Sequence, residues 1–125
     1  MATRRKKKPR RITQWHRQGW SRAVEHYLQD CCRRKKPARE KDFARSLDLT
    51  PEYASAIATQ ALGESLQQFM RKKQVEHASR LLRRRIPLSV EEIAARSAFG
   101  TRSAMHRWFV KVHGVGPAAF RERNR

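Results

Sequence analysis

The sequence predicts an all-α fold of seven helices, arranged as two similar helix pairs with a long connecting helix between them. From Ser21 onward, apolar residues recur at helical spacing, and no stretch alternates with the period of a strand. A short helix, a tight turn and a second helix follow one another twice along the 125 residues. We therefore predict two helix-turn-helix units in one domain or two small lobes.

The charge of the chain indicates the class of its partner. It holds 30 lysines and arginines against 11 aspartates and glutamates, a net charge of +19, with a pI near 11.5. Such a balance favours a polyanion, and nucleic acid is the commonest one. A mean hydropathy of −0.90 and the lack of an apolar run of about 20 residues predict no transmembrane helix and no membrane partner. No apolar segment follows the basic N-terminus, so we expect no secretory signal.

The cysteines and histidines give no pattern typical of a metal site or an active site. Cys31 and Cys32 are adjacent, which fits a reducing cytoplasm, and Cys31 is expected to pack as a small apolar side chain. The histidines are scattered at positions 16, 26, 77, 106 and 113, without ligand spacing. We therefore predict a cytoplasmic, nucleoid-associated protein that is not an enzyme and uses no metal or cofactor.

Residues 1–19 are predicted to form a disordered basic arm, because their charges repel one another and they hold little to bury. The side chains that would contact phosphates are Arg4, Arg5, Lys6, Lys7, Lys8, Arg10 and Arg11. Such an arm raises affinity for nucleic acid without reading sequence. The alternative is an arm that only keeps the chain in solution.

Residues 20–85 are predicted to form the first helix-turn-helix unit and the connecting helix. The apolar face of the first helix would be Val24, Tyr27, Leu28 and Cys31. A short second helix would carry Phe43, Ala44 and Leu47. The connecting helix, from about residue 65 to 84, would turn inward Leu66, Phe69, Met70, Ala78, Leu81 and Leu82. At about 1.5 Å per residue it would span on the order of 30 Å, close to the ~34 Å between successive major grooves.

Between these helices, the Thr50-Pro51 pair predicts the start of the outward helix of this unit, with threonine as N-cap and proline at the first helical position. Its inward residues would be Tyr53, Ala54, Ile57 and Ala61. Its opposite face presents Glu52, Ser55, Ala56 and Thr59. Gly63 is expected to end this helix.

Residues 86–125 are predicted to repeat the design as a second unit. Ser89 and Glu92 would form a capping box, in which the Ser89 hydroxyl bonds the Glu92 amide and the Glu92 side chain reaches back. Thr101 would cap the outward helix. The inward residues of the unit would be Ile93, Ala94, Ser97, Met105, Trp108, Phe109, Val112 and Phe120. The side chains on the opposite face of the outward helix are Arg102, Ser103, His106 and Arg107.

The stretch IPLSVEEIAARSAFGTRSAMHRWFVKVHGVGPAAFR, residues 86–121, closely resembles the second helix-turn-helix of AraC/XylS-type transcriptional regulators. The family pattern is an IA pair, a GF turn, an F-x-R-x-F core and a G-V-x-P-x-x-[YF]-R close. The matching residues are Ile93-Ala94, Ala98-Phe99, Met105 to Phe109, Gly114 to Pro117 and Phe120-Arg121. Residues 38–82 are similar to the first unit and its linker helix, through DFARSLDLTPEYASAI, Gly63, Phe69 and EHASRLL.

The resemblance implies a seven-helix domain that binds double-stranded DNA, inserts two recognition helices into adjacent major-groove segments and regulates transcription, usually by recruiting RNA polymerase. By alignment, the base-reading residues of the second helix would be Arg102, Ser103, Ala104 and Arg107, with His106 on the same face. Those of the first would be Glu52, Ser55 and Ala56, with Thr59 beside them. Thr50 and Thr101 stand at helix N-termini, where phosphates bind readily; capping alone is the alternative role.

Three departures from the family pattern bear on function. The first recognition helix carries no lysine or arginine, and Ala56 stands where the family often has a basic residue. Gln74 replaces a usual arginine of the linker helix, and Ala98 replaces the glycine of the turn. We therefore predict that the second unit does most of the sequence reading, with Arg107 gripping a guanine. The first unit would contribute shape or backbone contacts to DNA binding, or would contribute little.

Most family members also carry a ligand-sensing domain, for which this chain has no room, so no such domain is expected. One chain already spans two grooves, which fits a monomer. Two other functions stay open. One is a nonspecific architectural DNA- or RNA-binding protein that keeps the fold, and the other is a protein-interaction module of the transcription machinery.

Overall fold

The computed structural model describes residues 16–84 and 88–124, which are all-helical apart from their connections. The helices of these residues are α1 (Arg17–Arg34), α2 (Glu40–Ser46), α3 (Pro51–Leu62), α4 (Leu66–Leu82), α5 (Val90–Arg96), α6 (Arg102–His113) and α7 (Pro117–Arg123). The prediction of a seven-helix, all-α fold is confirmed. No helix among the described residues is both long and apolar enough to cross a bilayer.

The described residues divide into two compact units, of which the first comprises residues 16–27 and Arg39–Phe69. Its core contains Trp20, Val24, Phe43, Ala54, Ala58, Leu62 and Leu66. The Tyr27 ring packs on Phe43 with centroids 5.4 Å apart. The Tyr27 hydroxyl also accepts from the Arg39 amide at 3.1 Å and donates to the Arg39 carbonyl at 3.2 Å. This pair of bonds positions the start of α2.

The second unit comprises Leu28–Ala38 and the described residues from Met70 onward. Its core cluster is Val75, Ala78, Leu81, Leu82, Ile93, Ala94, Phe99, Met105, Phe109 and Phe120. The rings of Phe109 and Phe120 meet edge-on at 5.1 Å, and the His113 ring lies 4.8 Å from each of them. The last turn of α6 is thereby packed against α7.

The outward helices of the two units share one frame. Helices α3 and α6 each have 12 residues and follow a threonine N-cap, Thr50 or Thr101. Each ends at a glycine in the left-handed region, Gly63 at φ 78° and Gly114 at φ 79°. That backbone conformation strains any residue with a Cβ, so glycine terminates both helices in the same way.

Two apolar residues predicted to face inward lie instead at the surface: Tyr53 and Val112 are each 40% exposed. The buried stripe of α3 is Ala54, Ala58 and Leu62. Because small alanines let a helix approach its neighbours closely, they occupy the centre of the contact and the larger Tyr53 falls to its flank. On α6 the fully buried side chains are Met105 and Phe109, with Trp108 half-buried at the edge.

The predicted boundaries shift in three places. Helix α1 begins at Arg17, so residues 17–19 are helical and do not belong to the basic arm of residues 1–19. The rest of that arm, with its seven basic side chains, lies outside the described residues. The connecting helix is Leu66–Leu82, shorter than residues 65–84. The compact units do not follow the predicted division between residues 20–85 and 86–125. Helices α1 and α4 each contribute one end to each unit, so the chain passes from the first unit to the second between Phe69 and Met70, and the second unit also includes Leu28–Ala38.

Only one of the two hydrogen bonds of the predicted capping box at the start of α5 forms. The Ser89 hydroxyl accepts from the Glu92 amide at 3.0 Å, as predicted. The Glu92 carboxylate does not reach back, because two cations attract it more strongly than one amide: its Oε2 lies 2.7 Å from Arg96 Nε and 3.0 Å from Lys35 Nζ. These hydrogen bonds, from Arg96 first and then Lys35, lower the pKa of Glu92.

Candidate nucleic-acid interface

Helix α6 is held so that one face is buried and the other is open. Met105 and Phe109 are fully buried, and the Thr101 hydroxyl accepts from the Ala104 amide at 3.1 Å at the helix start. The exposed side chains of the opposite face are Arg102, Ser103, His106 and Arg107. The wheel predicted from the sequence places these four residues on that face as well. Their number and chemistry suit contacts with base edges and phosphates.

Arg107 is the most available cation on this face. It is exposed, and its guanidinium makes no hydrogen bond or ion pair with any of the residues that the structure describes. Its helix is held from behind by Met105 and Phe109. An arginine on a rigid helix with no internal partner keeps all five N–H donors for a ligand.

Arg102 is engaged within the protein. Its Nη1 donates to Glu91 Oε2 at 2.9 Å, and both side chains are largely exposed. The pKa of Glu91 is lowered, first by a hydrogen bond from its own backbone amide and further by Arg102. An exposed ion pair of this kind is weak and exchanges readily for another anion. No local sequence pattern marks Glu91 as the partner of Arg102, because the two residues are 11 positions apart, with a helix end and a turn between them.

Two further residues of the predicted α6 surface are partly committed to the fold. Ala104 is half-buried and packs against the core of the second unit, so only part of its side chain is open to a ligand. The His106 ring lies over Gly116: a Cβ at position 116 would come within 2.7 Å of His106 Cε1. Since α6 is followed at once by the turn to α7, the backbone of that turn supports the His106 ring.

The turn before α6 is held by a buried glutamine. Gln74 is 1% exposed, and its Nε2 donates to the carbonyls of Ser97 at 3.1 Å and Ala98 at 2.8 Å. Its Oε1 accepts from Arg71 Nη1 at 2.7 Å, and Arg71 Nη1 also donates to the Ala38 carbonyl at 3.0 Å. Gln74 therefore connects α4 to the turn that orients α6.

Helix α3 presents a surface without positive charge. Pro51, Glu52, Ser55, Ala56 and Thr59 line a shallow, open depression of about 610 Å³. Glu52, Ala56 and Thr59 are exposed, and Ser55 is half-buried. The Thr59 hydroxyl donates to the Ser55 carbonyl at 2.6 Å.

The N-cap threonines of both outward helices are occupied by capping. Thr50 Oγ1 accepts from the Tyr53 amide at 3.2 Å, as Thr101 does from Ala104. Counted from these caps, Ala56 occupies the position in α3 that Arg107 occupies in α6. Within residues 16–84 and 88–124, no three His, Cys, Asp or Glu side chains lie close enough together to hold a metal ion.

The sequence pattern of a helix-turn-helix domain family, the AraC/XylS type, matches residues 43–123. No curated protein sequence matches significantly. Among solved structures, the C-terminal domain of AraT, a response regulator from Geobacillus stearothermophilus, is similar at 28% identity with a TM-score of 0.69, covering 83% of this chain and 84% of that one.

Two more distant structures share the fold. The DNA-binding domain of AdpA, a global transcriptional factor solved in complex with a target DNA, is similar at 23% identity with a TM-score of 0.71, covering 85% of this chain and 92% of that one. The C-terminal domain of the two-component response regulator yesN from Fusobacterium nucleatum is similar at 22% identity with a TM-score of 0.63, covering 78% of this chain and 96% of that one. With its family pattern extending from α2 to α7, the chain belongs to the AraC/XylS-type helix-turn-helix family, whose members are DNA-binding regulators of transcription and not enzymes.

Proposed function

We propose that this protein regulates transcription by binding specific double-stranded DNA sequences, and that it reads bases mainly with α6. The observation that carries the proposal is the state of Arg107, which is exposed on a well-packed helix and has no partner among the described residues. A guanidinium in that state is suited to bind guanine O6 and N7 bidentately in the major groove.

Arg102 would join this contact by exchanging partners. In the free protein its guanidinium binds Glu91 at 2.9 Å. Near DNA, the closely spaced phosphates of the backbone attract the guanidinium more than a single exposed carboxylate does, and a guanine edge offers a bidentate acceptor. The Glu91 pair thus holds Arg102 extended at the start of α6 until DNA replaces it.

Helix α3 has a lesser role in this proposal. It has no lysine or arginine, and alanine stands where α6 has Arg107. Glu52 on its exposed face opposes the phosphate backbone electrostatically, although it is able to accept from a cytosine amine. We propose that α3 enters the adjacent groove and contributes shape and backbone contacts. The basic arm, outside the described residues, would add phosphate contacts that do not depend on sequence.

The AdpA domain, which shares the fold, was solved with a target DNA, and this supports DNA as the ligand here. Recruitment of RNA polymerase and action as a monomer stay predictions of the family resemblance. A nonspecific DNA-coating protein is the second candidate function, because the net charge of +19 and the uncharged middle of α3 favour it.

Selection from a random double-stranded DNA library at about physiological salt distinguishes these functions. The proteins to compare are the full chain, a chain lacking residues 1–15, Arg107→Ala and the control Arg22→Ala. Arg22 is an exposed arginine of α1 with no partner in the described part of the chain, so the control removes the same charge elsewhere.

The proposal predicts a recovered sequence motif that loses its preference at one base pair with Arg107→Ala and survives both Arg22→Ala and removal of the arm. If the full chain instead retains all sequences equally, and removal of the arm weakens them alike, the protein is a nonspecific DNA-coating protein on this fold.

A further inference from the structure

A second concave surface lies on the second unit, away from α6. This cleft has a volume of about 340 Å³ and is bounded by the end of α1, the last turns of α4 and the end of α5. Its basic side chains are Arg33, Lys35, Arg84 and Arg96. His77, Leu81 and Cys32 complete its wall. We call it the basic cleft.

The basic cleft holds more positive than negative charge. Glu92 Oε2 is shared between Lys35 Nζ at 3.0 Å and Arg96 Nε at 2.7 Å. Arg33 is paired with Asp30 at 2.6 Å. Arg84 has no carboxylate partner among the described residues. Four cations therefore face two carboxylates, and the surplus attracts an anion.

The backbone conformation of Lys35 also supports a functional role for this cleft. Lys35 has φ 55°, a left-handed conformation that a residue other than glycine adopts at a cost of about 1 kcal/mol or more. It stands directly after α1, where the Lys36 amide closes the helix end on the Cys31 carbonyl at 3.0 Å. Glycine is the usual residue at that position. The lysine instead brings its ammonium group to Glu92 and the cleft.

We propose that the basic cleft is a binding site for a small phosphate-bearing anion, of the size of pyrophosphate or a compact phosphate monoester. Arginine and lysine together suit phosphate oxygens, which accept several charge-assisted hydrogen bonds at once. The volume is at the lower end of the range for ligand sites, which favours a compact ligand. Burial, and then the charges of Arg80 and Arg84, lower the pKa of His77, and a hydrogen bond with the Arg96 backbone partly offsets this effect.

The same chemistry has two sources, a free phosphorylated molecule and a phosphate of the DNA backbone. The first test uses pyrophosphate and the full chain labelled with ¹⁵N, at constant ionic strength. We expect saturable amide shifts centred on Cys32, His77 and Arg96. The double variant Arg84→Gln, Arg96→Gln should weaken pyrophosphate binding at least about tenfold, because each arginine supplies a charge-assisted hydrogen bond.

The matched control is Arg45→Gln. Arg45 pairs with Asp42 one helical turn away, as Arg96 does with Glu92, but it lies on α2 outside the cleft. Its loss should leave pyrophosphate binding unchanged. Circular dichroism checks the fold of each variant. If the double variant does not fold, the single variant Arg84→Gln serves instead, since it breaks no side-chain hydrogen bond or ion pair with the described residues.

The proposal would be overturned if the amide shifts do not saturate with pyrophosphate. It would also be overturned if the cleft variants and Arg45→Gln lose pyrophosphate affinity equally. A second experiment identifies the source of the phosphate. If pyrophosphate competes with a DNA duplex and the cleft variants lose affinity for both, the site binds the DNA backbone. If pyrophosphate binds equally to the protein–DNA complex, the site binds a free molecule. Arg107→Ala should bind pyrophosphate as the unmodified chain does, so a failure of base reading by α6 leaves this test intact.

Discussion

The Gln74 side-chain nitrogen lies 2.8 Å from the carbonyl oxygen of Ala98 and donates a hydrogen bond to it. The same carbonyl accepts from the Ala38 amide at 2.9 Å, so both of its acceptor positions are satisfied inside the protein. Ala98 itself is fully buried at φ 63°. A turn that holds a non-glycine residue in the left-handed region needs such external support, and Gln74 provides it.

Replacement of Gln74 by leucine is expected to lower the free energy of unfolding by about 2 kcal/mol, because it leaves the Ser97 carbonyl and the Arg71 guanidinium without their buried partner. Urea unfolding measures the effect. Gln67→Leu is the control, since Gln67 is exposed on the same helix, and its effect should stay within about 0.5 kcal/mol. Equal losses in the two variants would show that the Gln74 bonds do not stabilise the turn.

Replacement of Arg107 by alanine is expected to weaken binding to the selected DNA site by about 1–3 kcal/mol and to relax preference at one base pair. Because Arg107 has no partner among the described residues, thermal unfolding should not change. Fluorescence anisotropy with the selected duplex and its single-base variants measures both effects. An equal loss of affinity for every duplex would instead indicate that Arg107 contacts a phosphate.

Replacement of Glu91 by glutamine is expected to strengthen DNA binding about threefold, since Arg102 no longer has to leave an ion pair. The slope of log affinity against log salt should stay the same, because Arg102 contacts DNA in both proteins. Glu76→Gln removes the same charge from an exposed position of α4 and serves as the control. If both variants strengthen binding alike, net charge explains the effect and the Arg102 pair does not.

Replacement of Gly116 by alanine is expected to displace the His106 ring, because the new Cβ would lie 2.7 Å from His106 Cε1. The ring is the free end of a side chain and is able to rotate away, so the cost should be about 1 kcal/mol. A double-mutant cycle with His106→Ala measures the coupling. The double variant Gly116→Ala, His106→Ala should be about as stable as His106→Ala alone. If the two losses of stability add instead, the cost of Gly116→Ala arises in the backbone and not from the His106 ring.

Cys32 is expected to react slowly with alkylating reagents. Burial first, and then the neighbouring Cys31, raise the pKa of its thiol from 9.0 to about 11. At pH 8 the thiolate fraction should be about a hundredfold below that of a thiol with the ordinary pKa. Iodoacetamide labelling followed by mass spectrometry measures the rate, with the urea-unfolded chain as control. Equal rates for the folded and unfolded chains would contradict the raised pKa.

The features that could be predicted from the sequence are those encoded over a few neighbouring residues. The caps Thr50, Ser89 and Thr101 all form, because each depends on residues three positions apart. The outward position of Arg107 follows from helical periodicity alone. The family pattern added double-stranded DNA as the form of nucleic acid and regulation of transcription as the function.

The features that could not be predicted depend on distances through space. The contacts of Arg102 with Glu91 and of Gln74 with Ala98 join residues 11 and 24 positions apart, and no local pattern marks them. The exposure of Tyr53 was also missed, because the helical wheel weights large apolar residues and the contact of α3 is made by Ala54 and Ala58. The cations of the basic cleft come from three separate segments, which only the folded chain brings together.

In both α3 and α6, the residues that form the helix and the residues on its exposed face are different ones. The residues that fold each helix are its threonine, its glycine and the buried stripe between them. The residues that would touch DNA are different ones, and their substitution costs little stability. In the DNA complex proposed above, target preference would therefore drift one side chain at a time, at Ala56 as readily as at Arg107. Helix α6 would keep the regulator on its existing sites while a substitution in α3 adds a new preference.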